Sequence, residues 1–301
     1  MDSEQLPHLE TFARAAELGS FTAAAQALGL TQAAVSQRIH ALEQVLGVPL
    51  FHRQGGRILL TEAGQRLHPY AQRILALHQQ ARAEVTGRKA PVTGELTLAA
   101  SSIPGEHLLP ALLSEFQARY PHIQVKATVT DSLAVLSQVE HGQVHLGLVG
   151  RKDDSPHLEY RPFACDQMVL VVPADHPWGR RKRVSLEELG RQPLIIREPG
   201  SGSRWCLEQS LAQAGKSLRE LKIVLELGSN EAIKEAVRRG LGVAILSTLV
   251  VQEELKAGRL HAVQVADLPL KRQMFLVRDR RRVLSIPARL FVELVAARPL
   301  Q

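Results

Sequence analysis

The sequence predicts an α+β protein of several domains, and three observations predict it. Residues 21–61 combine two short helical patterns, a tight turn and a small β-wing. Residues 61–86 carry one long helical pattern, and from residue 95 onward strands alternate with helices. At 301 residues, with 45% hydrophobic and 22% charged positions, the chain is long enough for two or three cores and has an ordinary globular composition.

In the first segment Ala24, Ala25 and Leu28 recur at helical spacing, and Leu30 follows a turn at Gly29. Val35, Ile39, Leu42 and Leu46 then draw a buried stripe along a second helix. Thr31 is the N-cap candidate, and Gln32, Ser36, Gln37 and Arg38 lie at that helix's exposed N-terminal end. Amides read adenine bidentately, guanidinium reads guanine, and a helix fits the major groove, so this end has the chemistry of a DNA-recognition helix. The alternative is a generic helical hairpin. Arg53 and Arg57 in the wing, with Arg38, offer phosphate contacts.

Charge adds little to the DNA argument. The net charge is +7, yet residues 1–90 hold nine Lys and Arg against seven acids. The excess sits downstream, in clusters such as Arg180 to Arg183 and Arg278 to Arg282, which read as solvated surface.

The segment from Thr61 to Thr86 reads as one helix capped by Thr61. Leu67, Tyr70, Ile74, Leu77 and Ala81 are spaced as the a/d seam of a coiled coil, which predicts a partner helix from a second copy. A helix packed on its own chain is the alternative. Pro69 predicts a kink or a late helix start. Residues 87–94, GRKAPVTG, read as a short linker.

Beyond the linker, strand patterns at Glu95–Ala100, Gln124–Val129, Val144–Val149, Gln167–Val172, Leu194–Arg197, Ile223–Leu227, Val243–Leu246 and Met274–Val277 alternate with helices. That order predicts a largely parallel sheet covered on both faces, with ligands bound beyond the carboxyl ends of strands. The rule points at Ser101-Ser102, Gly150-Arg151 and the loop REPGSGSR, Arg197 to Arg204. Hydroxyls, glycine amides and arginines at strand ends before helices suit a small anion. The spacing matches neither a P-loop nor a dinucleotide fingerprint.

Several function classes are excluded or weakened. No apolar run approaches the roughly 20 residues that span a bilayer, and MDSEQLPHLETF carries acids where a secretory signal needs a basic start, so a cytoplasmic, non-membrane location is expected. Cys165 and Cys206 make neither a disulfide framework nor a metal-spaced pair. Cys206, behind Arg204 and near a predicted helix start, is the candidate thiol if the protein senses oxidants. His141 and His145 are four apart, but Gly142 interrupts a shared face, so no metal is expected. No nucleophile, base and orienter set can be named, so no catalytic residue and no enzyme are expected. A pure solute-binding module would leave the N-terminal helices unexplained.

Ser20-Phe21-Thr22, Ala24-Ala25, Leu28, Thr31-Gln32-Ala33-Ala34-Val35-Ser36, Ile39, Leu42-Glu43, Leu46-Gly47, Leu50-Phe51, Arg53 and Leu60-Thr61-Glu62-Ala63-Gly64 together resemble the winged helix-turn-helix of LysR-type transcriptional regulators. The resemblance implies a DNA-binding domain over residues 1–62, a linker helix and hinge over 63–91, and a two-lobed, periplasmic-binding-protein-like effector domain over 92–301. Lobe I would take about 92–166 plus 268–301, and lobe II about 167–267. It carries DNA contacts onto Ser20, Thr22, Thr31, Gln32, Ala33, Ser36, Gln37, Arg38, Arg53 and Arg57. Ala33 departs from the usual Pro or Ser, so no hydroxyl contact comes from there. Implied partners are double-stranded promoter DNA, a second copy joined through the linker helices with dimers often paired into a homotetramer, RNA polymerase, and a small anionic metabolite in place of any cofactor. SSIPGEHLLP and REPGSGSR are similar to the branch tied to sulfur or selenium metabolism and carbon fixation, which implies a cleft lined by Ser101, Ser102, Ile103, Ser132, Arg197, Gly202 and Ser203.

Overall fold

The computed structural model describes residues 5–54, 57–86, 92–266 and 268–298. The fold divides into two compact units, residues 1–94 with 283–289 and residues 95–282 with 290–301. The expected linker falls mostly outside the described residues.

The first unit opens with a helix the sequence reading did not assign, α1 (Gln5–Leu18), whose Leu9, Phe12 and Ala15 are buried. Helix α2 (Phe21–Leu28) is capped by Ser20, whose Oγ accepts from the Ala23 amide. Helix α3 (Gln32–Leu46) is capped by Thr31, which accepts from the Ala34 amide at 3.2 Å. Strands β1 (Phe51–Gln54) and β2 (Arg57–Leu60) pair antiparallel as the wing. Val35, Ile39 and Leu42 join Phe12, Ala24, Ala25 and Leu50 in one core, as the apolar spacing predicts. Leu46, expected to extend that stripe, is exposed because it lies at the last position of α3. Glu43 ties α3 to the wing by accepting from the amides of Leu50 and Phe51.

Helix α4 (Glu62–Thr86) starts behind Thr61, whose hydroxyl donates to the Pro49 carbonyl at 2.7 Å and accepts from the Gly64 amide. Gly64 is needed there, since a Cβ would lie 2.2 Å from the Leu50 carbonyl oxygen. The expected late start at Pro69 does not occur, and the helix passes through that residue. The expected seam divides. Leu67 and Ile74 pack against the first unit's own core beside fully buried Ala71. Tyr70 and Leu77 are each 53% exposed, and Ala81 and Val85 are exposed as well. Heptad spacing cannot separate a helix's own domain from a partner when both faces carry apolar residues.

The second unit is built on ten strands, β3 (Gly94–Ser101), β4 (Ile123–Thr130), β5 (Leu146–Val149), β6 (Leu158–Pro173), β7 (Arg183–Val184), β8 (Leu194–Arg197), β9 (Ile223–Leu227), β10 (Val243–Ser247), β11 (Leu260–Val265) and β12 (Lys271–Asp279). Their order is β4-β3-β5-β12-β6-β10-β8-β9, with β11 on β6 and β7 on β11. Between them run α5 (Leu109–Arg119), α6 (Ser132–Glu140), α7 (Leu186–Gly190), α8 (Gly202–Gln213), α9 (Asn230–Arg238) and α10 (Thr248–Lys256), and α11 (Ile286–Ala296) follows β12.

The sheet is mixed, not largely parallel as expected. Pairs β3–β5, β8–β9 and β8–β10 are parallel, whereas β12 runs antiparallel to β5 and β6, and β6 antiparallel to β10 and β11. The cause is β6, sixteen residues long, which pairs β12 from Leu158 to Gln167 and then β10 and β11 from Met168 onward. Only its apolar second half was legible in sequence, because LEYRPFACD mixes charged and apolar positions without an uninterrupted run. Helix α10 and strand β11 were not assigned either. Separate cores form on the two halves, one around Leu170, Leu194, Leu211 and Val243 and one around Ala99, Val135, Val149 and Val277.

Candidate functional site

At the start of α3 the exposed side chains are Gln32, Ala33 and Gln37, with Ser36 half-buried behind them. Two hydroxyls expected on DNA serve the backbone here, since Ser20 and Thr31 are the caps of α2 and α3. Thr22 is exposed on α2. Arg38 is half-buried, and its Nη1 donates to Thr11 Oγ1 at 3.4 Å; Thr11 is itself buried and donates to the Pro7 carbonyl. That contact points one guanidinium nitrogen toward α1. Arg53 and Arg57 lie on β1 and β2, and their side chains fall outside the described residues.

The second unit brings all seven expected cleft residues together. A small cleft is lined by Ser101 at the end of β3, Ser102 and Ile103 beyond it, Ser132 at the start of α6, Arg197 at the end of β8, and Gly202 and Ser203 at the start of α8. Asp131, Gly150, Ser201 and Arg272 complete the lining beside Pro104. Behind Ser102 the chain makes a single π-helical turn, Pro104–Leu108, before α5, a local irregularity common at binding sites. Asp131 and Ser201 are N-caps, accepting from the amides of Ala134 and Ser203. Gly202 permits the close approach of two loops, because a Cβ there would lie 2.9 Å from Ser132 Oγ and 3.2 Å from the Gly150 carbonyl carbon.

Arg197 is 4% exposed, and each of its three guanidinium nitrogens donates. It gives Nε and Nη2 to the Glu198 carboxylate at 2.7 and 2.8 Å and Nη1 to Asn230 Oδ1 at 2.7 Å, and longer bonds reach Ser102 Oγ and the Gly228 carbonyl. Around it, Ser132 Oγ, Asn230 Nδ2 and Arg272 Nη2 are buried without a hydrogen-bond partner. Buried donors left open are costly unless something accepts from them. Arg272 was missed in the sequence because it lies inside a strand; the available signal was its phase, two residues from Met274 on the buried side of β12.

The alternative of a redox-sensing Cys206 is not favoured. Cys206 is 4% exposed in an apolar core, and burial pushes its thiol above the ordinary range. Cys165 is exposed. His141 Nδ1 contacts the Ser137 carbonyl, while His145 bonds Thr97. No group of three or more metal-binding side chains occurs among the described residues, and no described helix is long and apolar enough to cross a membrane.

Residues 6–65 match the bacterial regulatory helix-turn-helix proteins of the lysR family, and residues 89–299 match the LysR substrate binding domain. The chain belongs to the LysR family. Its relatives include a probable RuBisCO transcriptional regulator of Cyanophora paradoxa, 34% identical over 97% of this chain and 93% of that one. The transcriptional activator CmpR of Synechocystis is 33% identical over 99% and 96%. Among solved structures, the Synechocystis CcmR regulatory domain in complex with 2-PG has a TM-score of 0.62 and 28% identity, covering 68% of this chain and 97% of that one. This LysR-family protein is thus a DNA-binding transcriptional regulator with a helix-turn-helix and an effector-binding domain, and a small molecule modulates its binding to DNA. Members of the family bind promoter DNA and form oligomers, and the Cyanophora relative is named for the regulation of RuBisCO.

Proposed function

We propose that this LysR-family chain regulates promoters of carbon-fixation genes in answer to a small anionic metabolite held in the Arg197–Arg272 cleft. The observation that carries the reading is the set of buried, unpartnered donors, Ser132 Oγ, Asn230 Nδ2 and Arg272 Nη2, in or beside a cleft with two arginines. A ligand with oxyanion oxygens satisfies them. The 2-PG complex of the CcmR regulatory domain, 28% identical, supports a small-molecule ligand in this type of domain. Gln32, Ser36 and Gln37 of α3 read base edges, with Thr22 and the wing arginines Arg53 and Arg57 beside them on phosphates. Arg38 orients α3 through Thr11. The exposed stripe Tyr70, Leu77, Ala81 and Val85 of α4 joins two copies, whose dimers pair further, and the dimer engages RNA polymerase in the cytoplasm. Lobes over about 92–166 with 268–301 and over about 167–267 change their geometry on ligand binding, and α4 passes that change to the two reading helices.

Fluorescence anisotropy on promoter DNA tests the reading. Addition of 2-PG is expected to shift the binding curve of the wild-type protein and to leave that of Gly202→Val, whose side chain fills the cleft, where it was. An equal shift in both proteins would place the ligand elsewhere.

A further inference from the structure

We infer that Arg272, and not the more conspicuous Arg197, is the cation that receives the effector's oxyanion group, with Asp166 holding it in place from behind. The inference rests on the reading of this cleft as the effector site and names the group that does the recognition.

The two arginines differ in what they have left to offer. Every nitrogen of the Arg197 guanidinium is engaged, two of them on Glu198, and of its five N–H groups only one on Nη1 has no acceptor among the described residues, so it has no open pair of donors for a two-oxygen contact. Arg272 is 8% exposed, and among the described residues its side chain makes one hydrogen bond, from Nε to Asp166 Oδ2 at 2.9 Å. Nη2 is 2.8 Å from the same oxygen, an ion-pair contact, and makes no well-aligned hydrogen bond among the described residues. The second oxygen of Asp166, Oδ1, accepts from Ser247 Oγ at 2.6 Å. With Ser247 on one oxygen, the carboxylate meets the Nε–Nη2 edge of the guanidinium with the other and leaves the Nη1 side free. Guanidinium carries five donors in a planar fork, so the Nη1–Nη2 edge can receive two oxygens of a carboxylate or phosphate while Nε stays on Asp166. That edge faces the cleft, since Nη1 lies 3.2 Å from where a Cβ of the lining residue Gly150 would stand.

The placement also ties the ligand to the centre of the sheet. Arg272 and Asp166 face each other in register across β12 and β6, and two residues beyond Asp166 strand β6 leaves β12 for β10, where Met168 faces Ser247. An oxyanion on Arg272 therefore acts at the point where the two halves of the sheet are joined.

Isothermal titration of the full-length protein with 2-PG, inorganic phosphate and sulfate separates the two arginines. Arg272→Lys keeps a positive charge beside Asp166 but loses the fork, and is expected to weaken binding of whichever probe the wild-type protein binds by about tenfold or more. A double variant, Asp166→Asn with Arg272→Gln, buries no lone charge and is expected to melt cooperatively and to lose binding too. Arg197→Lys is expected to weaken binding less than Arg272→Lys. Unchanged affinity in Arg272→Lys, or a larger loss in Arg197→Lys, overturns the assignment to Arg272. If the cleft-filling Gly202→Val variant still binds the probe, or the wild-type protein binds none of the three, the reading of the cleft as an oxyanion site falls instead.

Discussion

Arg197 and Glu198 are neighbours in the chain and partners in space, joined by two guanidinium–carboxylate hydrogen bonds of 2.7 and 2.8 Å at the edge of the cleft. The pair makes Arg197 a clamp on the surrounding loops, reaching Ser102, Asn230 and Gly228 from the end of β8. Arg197→Ala is expected to destabilise the protein by about 3 kcal/mol, because it leaves the buried Asn230 Oδ1 and the half-buried Glu198 carboxylate without their charged donor. Urea denaturation monitored by circular dichroism measures it, and a loss under about 1 kcal/mol would remove the clamp role.

Reading of DNA is expected to depend on the amide and hydroxyl of α3 more than on its arginine. Gln32→Ala and Ser36→Ala should each weaken binding to a specific operator by roughly 1 to 3 kcal/mol while leaving non-specific binding nearly unchanged. Gel shifts on operator and on scrambled DNA give both quantities. Equal losses on the two DNAs would make these phosphate contacts.

The divided face of α4 gives opposite expectations for two residues three apart. Leu77→Asp, on the exposed stripe, should shift the sedimentation profile from dimer toward monomer. Ile74→Ala, packed on the first unit's core, should leave the dimer intact and lower stability by roughly 1 to 2 kcal/mol. The reverse pattern would restore the continuous seam.

Stability is expected to fall on mild acidification. Burial holds His145 below its ordinary pKa, and its Nδ1 accepts from the Thr97 amide at 3.0 Å, which a protonated ring cannot do. Burial lowers His68 likewise. A lowered histidine pKa means that the unfolded chain takes up the proton first. Stability is therefore full above the unfolded value, near 6.5, and declines as the pH falls through it toward the folded pKa. Thermal melts at about pH 7.5 and about pH 5.5 should show a lower midpoint in acid, with a smaller drop in His145→Asn. A drop of the same size in the variant would assign the effect elsewhere.

Much of the site was legible before any coordinates because its parts are local. Thr31 before a polar helix start and Ser201-Gly202-Ser203 before another are caps and close-approach turns whose geometry is set by neighbours in sequence. Helix α1 escaped notice because Leu6, Leu9 and Phe12 repeat over too short a span to stand out beside the longer patterns. The first half of β6 escaped because its partner, β12, lies more than a hundred residues away.

By itself the sequence determined the reading helix, the long helix behind it, the serine and glycine loops and the family, all of which follow from spacing within a few turns or strands. Tertiary structure alone decided which face of α4 is left for a partner, that Cys206 is buried, that Arg38 is drawn to Thr11, and that Asp166 and Ser247 leave one edge of Arg272 open. Those four outcomes depend on what lies opposite a side chain, and desolvation, hydrogen-bond angle and shared partners are set by residues far off in the chain.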